Sequence, residues 1–243
     1  MNVGIALFVV AAIIVAVCLL AKKRQTHCTP EAEGSVDATQ VDTPLGFGYK
    51  CVWFAIKTDS PQLVAEALGL KGVQPCNWAV GVPAAYEEKG RRVFVSPPVK
   101  GWVLAASVYL PTYDGPRFPD RLTPLLQRLG SRFPEVQHFT THRVVDYHSW
   151  TRLVGARLVR SFAYLGERDE TLRDVGEQDK VEIEVREADR ANFIHRRGEP
   201  EADYVYYADE QHVMTIAGSW SIDPTKLGET GSPTSLGLVG TLP

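Results

Sequence analysis

The sequence predicts an α+β fold: a single N-terminal transmembrane helix, then one domain with a mainly antiparallel sheet and packed helices. Three observations predict it. The first 21 residues carry no charged side chain, strand-like and helix-like runs then mix without regular βαβ alternation, and residues 135–165 read as consecutive strands joined by short turns. At 243 residues the chain is long enough for one ordinary core, and its 44% hydrophobic and 23% charged content excludes both wholesale disorder and a polytopic membrane protein. A net charge of -3 gives no long-range positive field, so no nucleic-acid partner is expected.

Residues 1–21, MNVGIALFVVAAIIVAVCLLA, make a helix about 31 Å long at about 1.5 Å per residue, which matches a hydrocarbon core of about 30 Å. A cleavable signal would place basic residues before the apolar run, whereas Lys22, Lys23 and Arg24 follow it. Those three residues favour the cytoplasmic side, so the expectation is a single-pass protein of a bacterial inner membrane with its globular part in the cytoplasm. Val17 stands where a lipoprotein signal needs a small residue before Cys18. Outside the span, Cys28, Cys51 and Cys76 are odd in number and form no C-x-x-C pair, which fits a reducing compartment and small buried or linker residues.

Residues 22–46 are polar and rich in Thr, Glu, Asp and Gly, and read as a flexible tether. The globular domain is expected over residues 47–227. It opens with the strand-like YKCVWFAIKT, followed by a helix with Ser60 as N-cap, Pro61 at N1, an apolar side formed by Leu63, Val64, Ala67 and Leu68, and Gly69 as the stop. After a less regular stretch, VFVSPPVKGWVLAASVYLP reads as two strands with a tight connection near Pro97, Pro98 and Gly101. Asp120 caps a helix whose Leu122, Leu125, Leu126, Leu129 and Phe133 share one face. The meander turns near Gly155. KVEIEVREADRANF alternates Val181, Ile183 and Val185 with charged residues and reads as a strand with one solvated face, a helix being the other reading. Asp209 caps a helix carrying Val213, Ile216, Ala217 and Trp220 that stops before Pro224, and residues 228–243 read as a disordered tail.

Chemistry concentrates in HFTTHRVVDYHSW, which holds His138, His142, Asp146 and His148. On a helix His138 and His142 would suit a metal, but Phe139 replaces the general-base Glu of H-E-x-x-H. On a strand the two lie about 13 Å apart at about 3.3 Å per residue, too far for one ion. The β-branched neighbours Thr140, Thr141, Val144 and Val145 favour the strand, so no metal or other cofactor is expected. There is no G-x-S-x-G elbow and no G-x-x-x-x-G-K-[ST] or G-x-G-x-x-G loop, and no catalytic residue can be assigned. The five tryptophans, Trp53, Trp78, Trp102, Trp150 and Trp220, suit a core better than a surface. The meander arginines Arg143, Arg152, Arg157 and Arg160 could supply hot-spot contacts, with Arg157 and Arg160 on opposite sides of an extended segment. Trp102, Arg143, His148, Trp150 and Arg160 are the candidate binding residues.

The runs VFVSPPVKGW, THRVVDYHSWTRLVGARLVRSFAYLGE and AGSWSIDP resemble segments shared by a group of uncharacterised bacterial proteins. The resemblance spans residues 50–224 and implies a bacterial origin and one continuous domain, with no activity or site residues to carry over. Two functions follow as expectations. The first is a membrane-tethered, non-enzymatic binding protein, of accessory or immunity type, holding a protein partner at the inner membrane, with the lipid bilayer contacted through residues 1–21. The second is a membrane-anchored, hydrolase-like enzyme using His138, His142, Asp146 and His148.

Overall fold

The aromatic and β-branched run that opens the expected domain forms β1 (Cys51–Lys57), and alternation along it sends Trp53 and Ala55 to one face and Phe54 and Ile56 to the other, all four fully buried. A strand buried on both faces must lie inside a sheet with layers on each side. The computed structural model, which describes residues 37–197, 206–229 and 235–243, shows that arrangement. The remaining elements are α1 (Pro61–Leu68), β2 (Lys71–Cys76), α2 (Trp78–Tyr86), β3 (Arg92–Val95), β4 (Trp102–Ser107), α3 (Leu122–Gly130), β5 (Glu135–His142), β6 (Tyr147–Val154), β7 (Arg157–Leu165), β8 (Glu170–Val175), α4 (Lys180–Arg197), α5 (Glu210–Trp220) and β9 (Gly237–Thr241).

The nine strands run in the order β2-β9-β3-β4-β1-β5-β6-β7-β8, and each neighbouring pair is antiparallel. Helices α1 and α3 cover the face that carries Phe54, Val103 and Val136, while α2 and α5 cover the face that carries Trp53, Phe139 and Trp150, with Val181 of α4 packed against the same cluster. On that second face Trp53, Phe139, Trp150 and Phe162 stand opposite one another on four successive strands. Trp53 stacks on Phe139 at 5.2 Å and Trp150 on Phe162 at 4.5 Å.

Local chemistry sets several boundaries as the sequence predicts. Ser60 Oγ accepts the Leu63 amide at 3.3 Å, and Gly69 takes φ 73° to close α1. The N-cap of α3 is Arg121 rather than Asp120, which lies one residue earlier and accepts the Thr123 amide at 2.8 Å; the leucine face is buried, and Phe133 lies beyond the helix end. The β3–β4 connection turns through Lys100 and Gly101, and β6–β7 through Gly155 and Ala156, each pair with two positive φ values as a tight hairpin requires. Asp209 caps α5 and receives the His212 amide at 2.8 Å.

Three expectations are corrected. Residues 180–197 form a helix, not a strand: Val181 and Val185 are four apart, so they share a helical side, and Lys180–Glu184 and Glu182–Arg186 pair across one turn. Part of the tail forms β9, which fills the sheet between β2 and β3 and buries Leu238. The folded body begins before residue 47. Asp42 accepts the amides of Trp78 and Ala79 at 2.9 and 2.8 Å, capping α2, and Asn77 Nδ2 donates to the carbonyls of Asp37 and Gln40. Residues 37–243 accordingly form one compact unit. The domain therefore reaches beyond both expected ends, 47 and 227. Residues 1–21 and most of the tether lie outside the described residues, among which no helix is long and apolar enough to cross a membrane.

Candidate functional site

The four chemically active residues of the β5–β6 segment are divided by the sheet. His138 lies on β5 and its side chain points to the α1/α3 face, where Nε2 meets the Pro111 carbonyl at 3.1 Å and the ring packs on Phe54 at 4.9 Å. Desolvation lowers its pKa to about 4, and the hydrogen bond to Pro111 opposes this only in part. The ring is a neutral core histidine. His148 lies on β6 in the row next to Trp150 but on the opposite face from His138, with Nε2 at 2.9 Å from Asp146 Oδ1. His142 ends β5 and is exposed. Among the described residues no three His, Cys, Asp or Glu side chains converge as a metal site needs, and no Ser, Thr or Cys side chain hydrogen-bonds a histidine as a nucleophile–base pair needs.

The candidate binding residues are not brought together either. Trp102 is buried at the start of β4 with Lys57 Nζ 4.7 Å from its ring centre, three strands from Trp150 in the sheet order. Arg143 stands in the exposed β5–β6 turn beside Asp146 and His148. Trp150 and Arg160 belong to the interior, where both meet Glu182 of α4. Arg160 Nε and Nη2 donate to the two Glu182 oxygens at 2.7 and 2.5 Å, and Nη1 donates to Asp174 at 2.5 Å. Burial alone would lower the guanidinium pKa, but hydrogen bonds and charge from Glu182 and Asp174 outweigh it and raise the value. Arg186 adds a further hydrogen bond to Glu182 at 3.0 Å and lies over the rings of Phe162 and Tyr206. Glu182, read from the sequence as part of a solvated face, is fully buried. Its i, i+4 spacing to Arg186 was the available signal. Trp150 and Arg160, named from the sequence as candidate binding residues, are interior residues that tie α4 to the sheet.

A cavity of about 390 Å³ opens on the α1/α3 face, at the end of β1 that faces Lys50. Apolar walls come from Val52, Val108, Leu110, Val145, Leu165 and Leu172. Its polar lining includes Lys50, Thr140 and His142, with Thr112 and Asp114 on the loop after β4, where the Thr112 hydroxyl donates to Asp114 at 2.5 Å. Tyr147 also lines it, and its hydroxyl donates to the Tyr113 carbonyl at 3.0 Å, while burial pushes the phenol pKa well up. Cys51 lines the cavity as a thiol that burial pushes up to about 12, which makes it a poor nucleophile. Thr140 is 2% exposed and its Oγ1 has no hydrogen-bond partner among the described residues. The sequence marks Thr140 only as a strand former.

Compared with known proteins, the chain matches no family model, no curated protein and no solved structure.

Proposed function

We propose that the chain is a membrane-tethered, non-enzymatic binding protein that holds a protein partner at a bacterial inner membrane, as an accessory or immunity-type protein does. Residues 1–21 form the single span, Lys22, Lys23 and Arg24 lie on the cytoplasmic side, and the α+β domain works in the cytoplasm. The observation that carries the non-enzymatic reading is the separation of His138 and His148 by the sheet, with His138 spent on Pro111 and His148 on Asp146. The hydrolase reading needs these side chains to converge, and their placement gives it no support.

The test is purification of the full chain from membranes with its span intact. One protein partner in stoichiometric amount is expected. A chain that isolates alone and turns over ester or phosphoester substrates, with that turnover lost on His148→Gln, would contradict the proposal.

A further inference from the structure

We propose that the outer side of α4 is an interface between two copies of this chain, whose α4 helices pair antiparallel about a two-fold axis. This goes beyond the partner-binding reading and does not depend on it. Among the large apolar side chains of α4, Ile183 and Ile194 are the exposed ones, at 42% and 38%. Glu187 and Arg190 lie between them and are exposed as well. The spacing through 183, 187, 190 and 194 is four, three and four, so the four residues form one stripe along the helix, the seam through which two helices pack. It is separate from the side of α4 that carries Glu182 and Val185 into the interior.

The stripe is complementary to itself in one orientation only. When a second α4 lies antiparallel, with the two-fold axis between Ala188 and Asp189, Ile183 meets the second copy's Ile194 and Glu187 meets its Arg190, and the symmetry repeats both contacts. A parallel pair would instead set Glu187 against Glu187 and Arg190 against Arg190. Charged residues at seam positions give up stability but fix direction and register. The surface has a matching shape. Ile183, Arg186, Glu187 and Arg190 stand at i, i+3, i+4 and i+7 and, with Gln178, line a concavity of about 200 Å³. Four residues so arranged make the hole that receives one side chain of a facing helix. In the antiparallel register that side chain is the second copy's Arg190, whose aliphatic stem fills the hole while its guanidinium reaches Glu187. About three turns of helix bury less than the roughly 1,200–2,000 Å² of a stable complex, so the pair is weak and dissociates on dilution.

The experiment uses the purified full chain reconstituted into liposomes, with donor and acceptor fluorescent proteins fused through a flexible linker after Pro243 on separate copies. Energy transfer reads association, and added lipid dilutes the protein. Parent copies should show transfer that falls on dilution. Glu187→Arg and Arg190→Glu each turn both ionic contacts into repulsions and should each weaken association about tenfold. Mixing the Glu187→Arg chain with the Arg190→Glu chain should restore transfer, because each seam charge then meets its opposite on the other copy. Neither chain regains a Glu187–Arg190 pair within its own helix, so an effect confined to one helix cannot produce that rescue. Thermal melting checks that the variants fold. If a reversal does not fold, Ile183→Ser, which removes the apolar contact without changing charge, should weaken transfer about fivefold. The proposal is overturned if parent copies show no transfer, if neither the reversals nor Ile183→Ser alter it, or if the mixed variants associate no better than either variant alone. Only the purified chain is present, so none of these outcomes depends on whether a protein partner exists.

Discussion

The Trp150 indole donates to Glu182 Oε2 at 3.2 Å across 32 residues of sequence, with both side chains out of solvent. The same carboxylate takes two hydrogen bonds from Arg160, so one glutamate on α4 gathers a tryptophan of β6 and an arginine of β7. Removing both charges from such a buried group costs little, whereas removing one strands the other.

Arg160→Met should therefore destabilise the domain by about 3–5 kcal/mol, the range for breaking a buried ion pair from one side. Adding Glu182→Leu should recover most of the loss, because Arg186 retains partial access to solvent. Urea denaturation of the single and double variants checks this. Equal stability of Arg160→Met and the parent chain would show that α4 is not held to the sheet through this group.

His138 gives the domain a defined acid sensitivity. Its pKa is lowered on folding, from an ordinary value near 6.5 to about 4, so below 6.5 the unfolded chain binds a proton that the folded chain does not. Stability from this site is fully present above pH 6.5, falls as pH drops from 6.5 to 4, and changes no further below that. Between pH 7 and pH 5 the loss is about 2 kcal/mol. His138→Gln, which cannot titrate, should flatten that part of the stability–pH curve, and an unchanged slope would contradict the assignment of His138 as a neutral core residue.

Thr140→Val should stabilise the domain by about 1 kcal/mol, because it removes a buried hydroxyl that has no partner among the described residues. A thermal melt reads the sign directly. Destabilisation would mean that the hydroxyl has a partner in solution.

The C-terminal segment is structural. Truncation after residue 234 removes β9, uncovers the facing edges of β2 and β3 and exposes the sites that Leu238 fills. Loss of cooperative unfolding, or a large fall in melting temperature, is expected. A tail of no structural consequence would leave the melt unchanged.

What the sequence makes legible here is the structure specified by neighbours along the chain. Ser60 and Gly69 bracket α1, the leucines at i, i+3, i+4 and i+7 define the buried side of α3, and the β5–β6–β7 meander pairs strands joined by short turns. Segments whose structure depends on distant partners are harder to read. β9 has five residues, two of them glycine, and becomes a strand because β2 and β3 flank it from more than 140 residues away. KVEIEVRE carries both a period of two through Val181, Ile183 and Val185 and a helical repeat through Val181 and Val185, and the buried Arg160, far away in sequence, favours the helix by pairing with Glu182. The cavity is non-local in the same sense, since Lys50, Leu110, Thr140 and Leu172 meet only once the sheet has formed.

The most direct test of the tethered-protein account is topology. A green fluorescent protein fused through a flexible linker after Pro243 should be fluorescent in whole cells, and alkaline phosphatase at the same position should be inactive, because in the proposed topology the basic residues Lys22, Lys23 and Arg24 would keep the following domain in the cytoplasm. Active phosphatase with a dark fluorescent fusion would contradict the account and place the domain on the other side of the membrane.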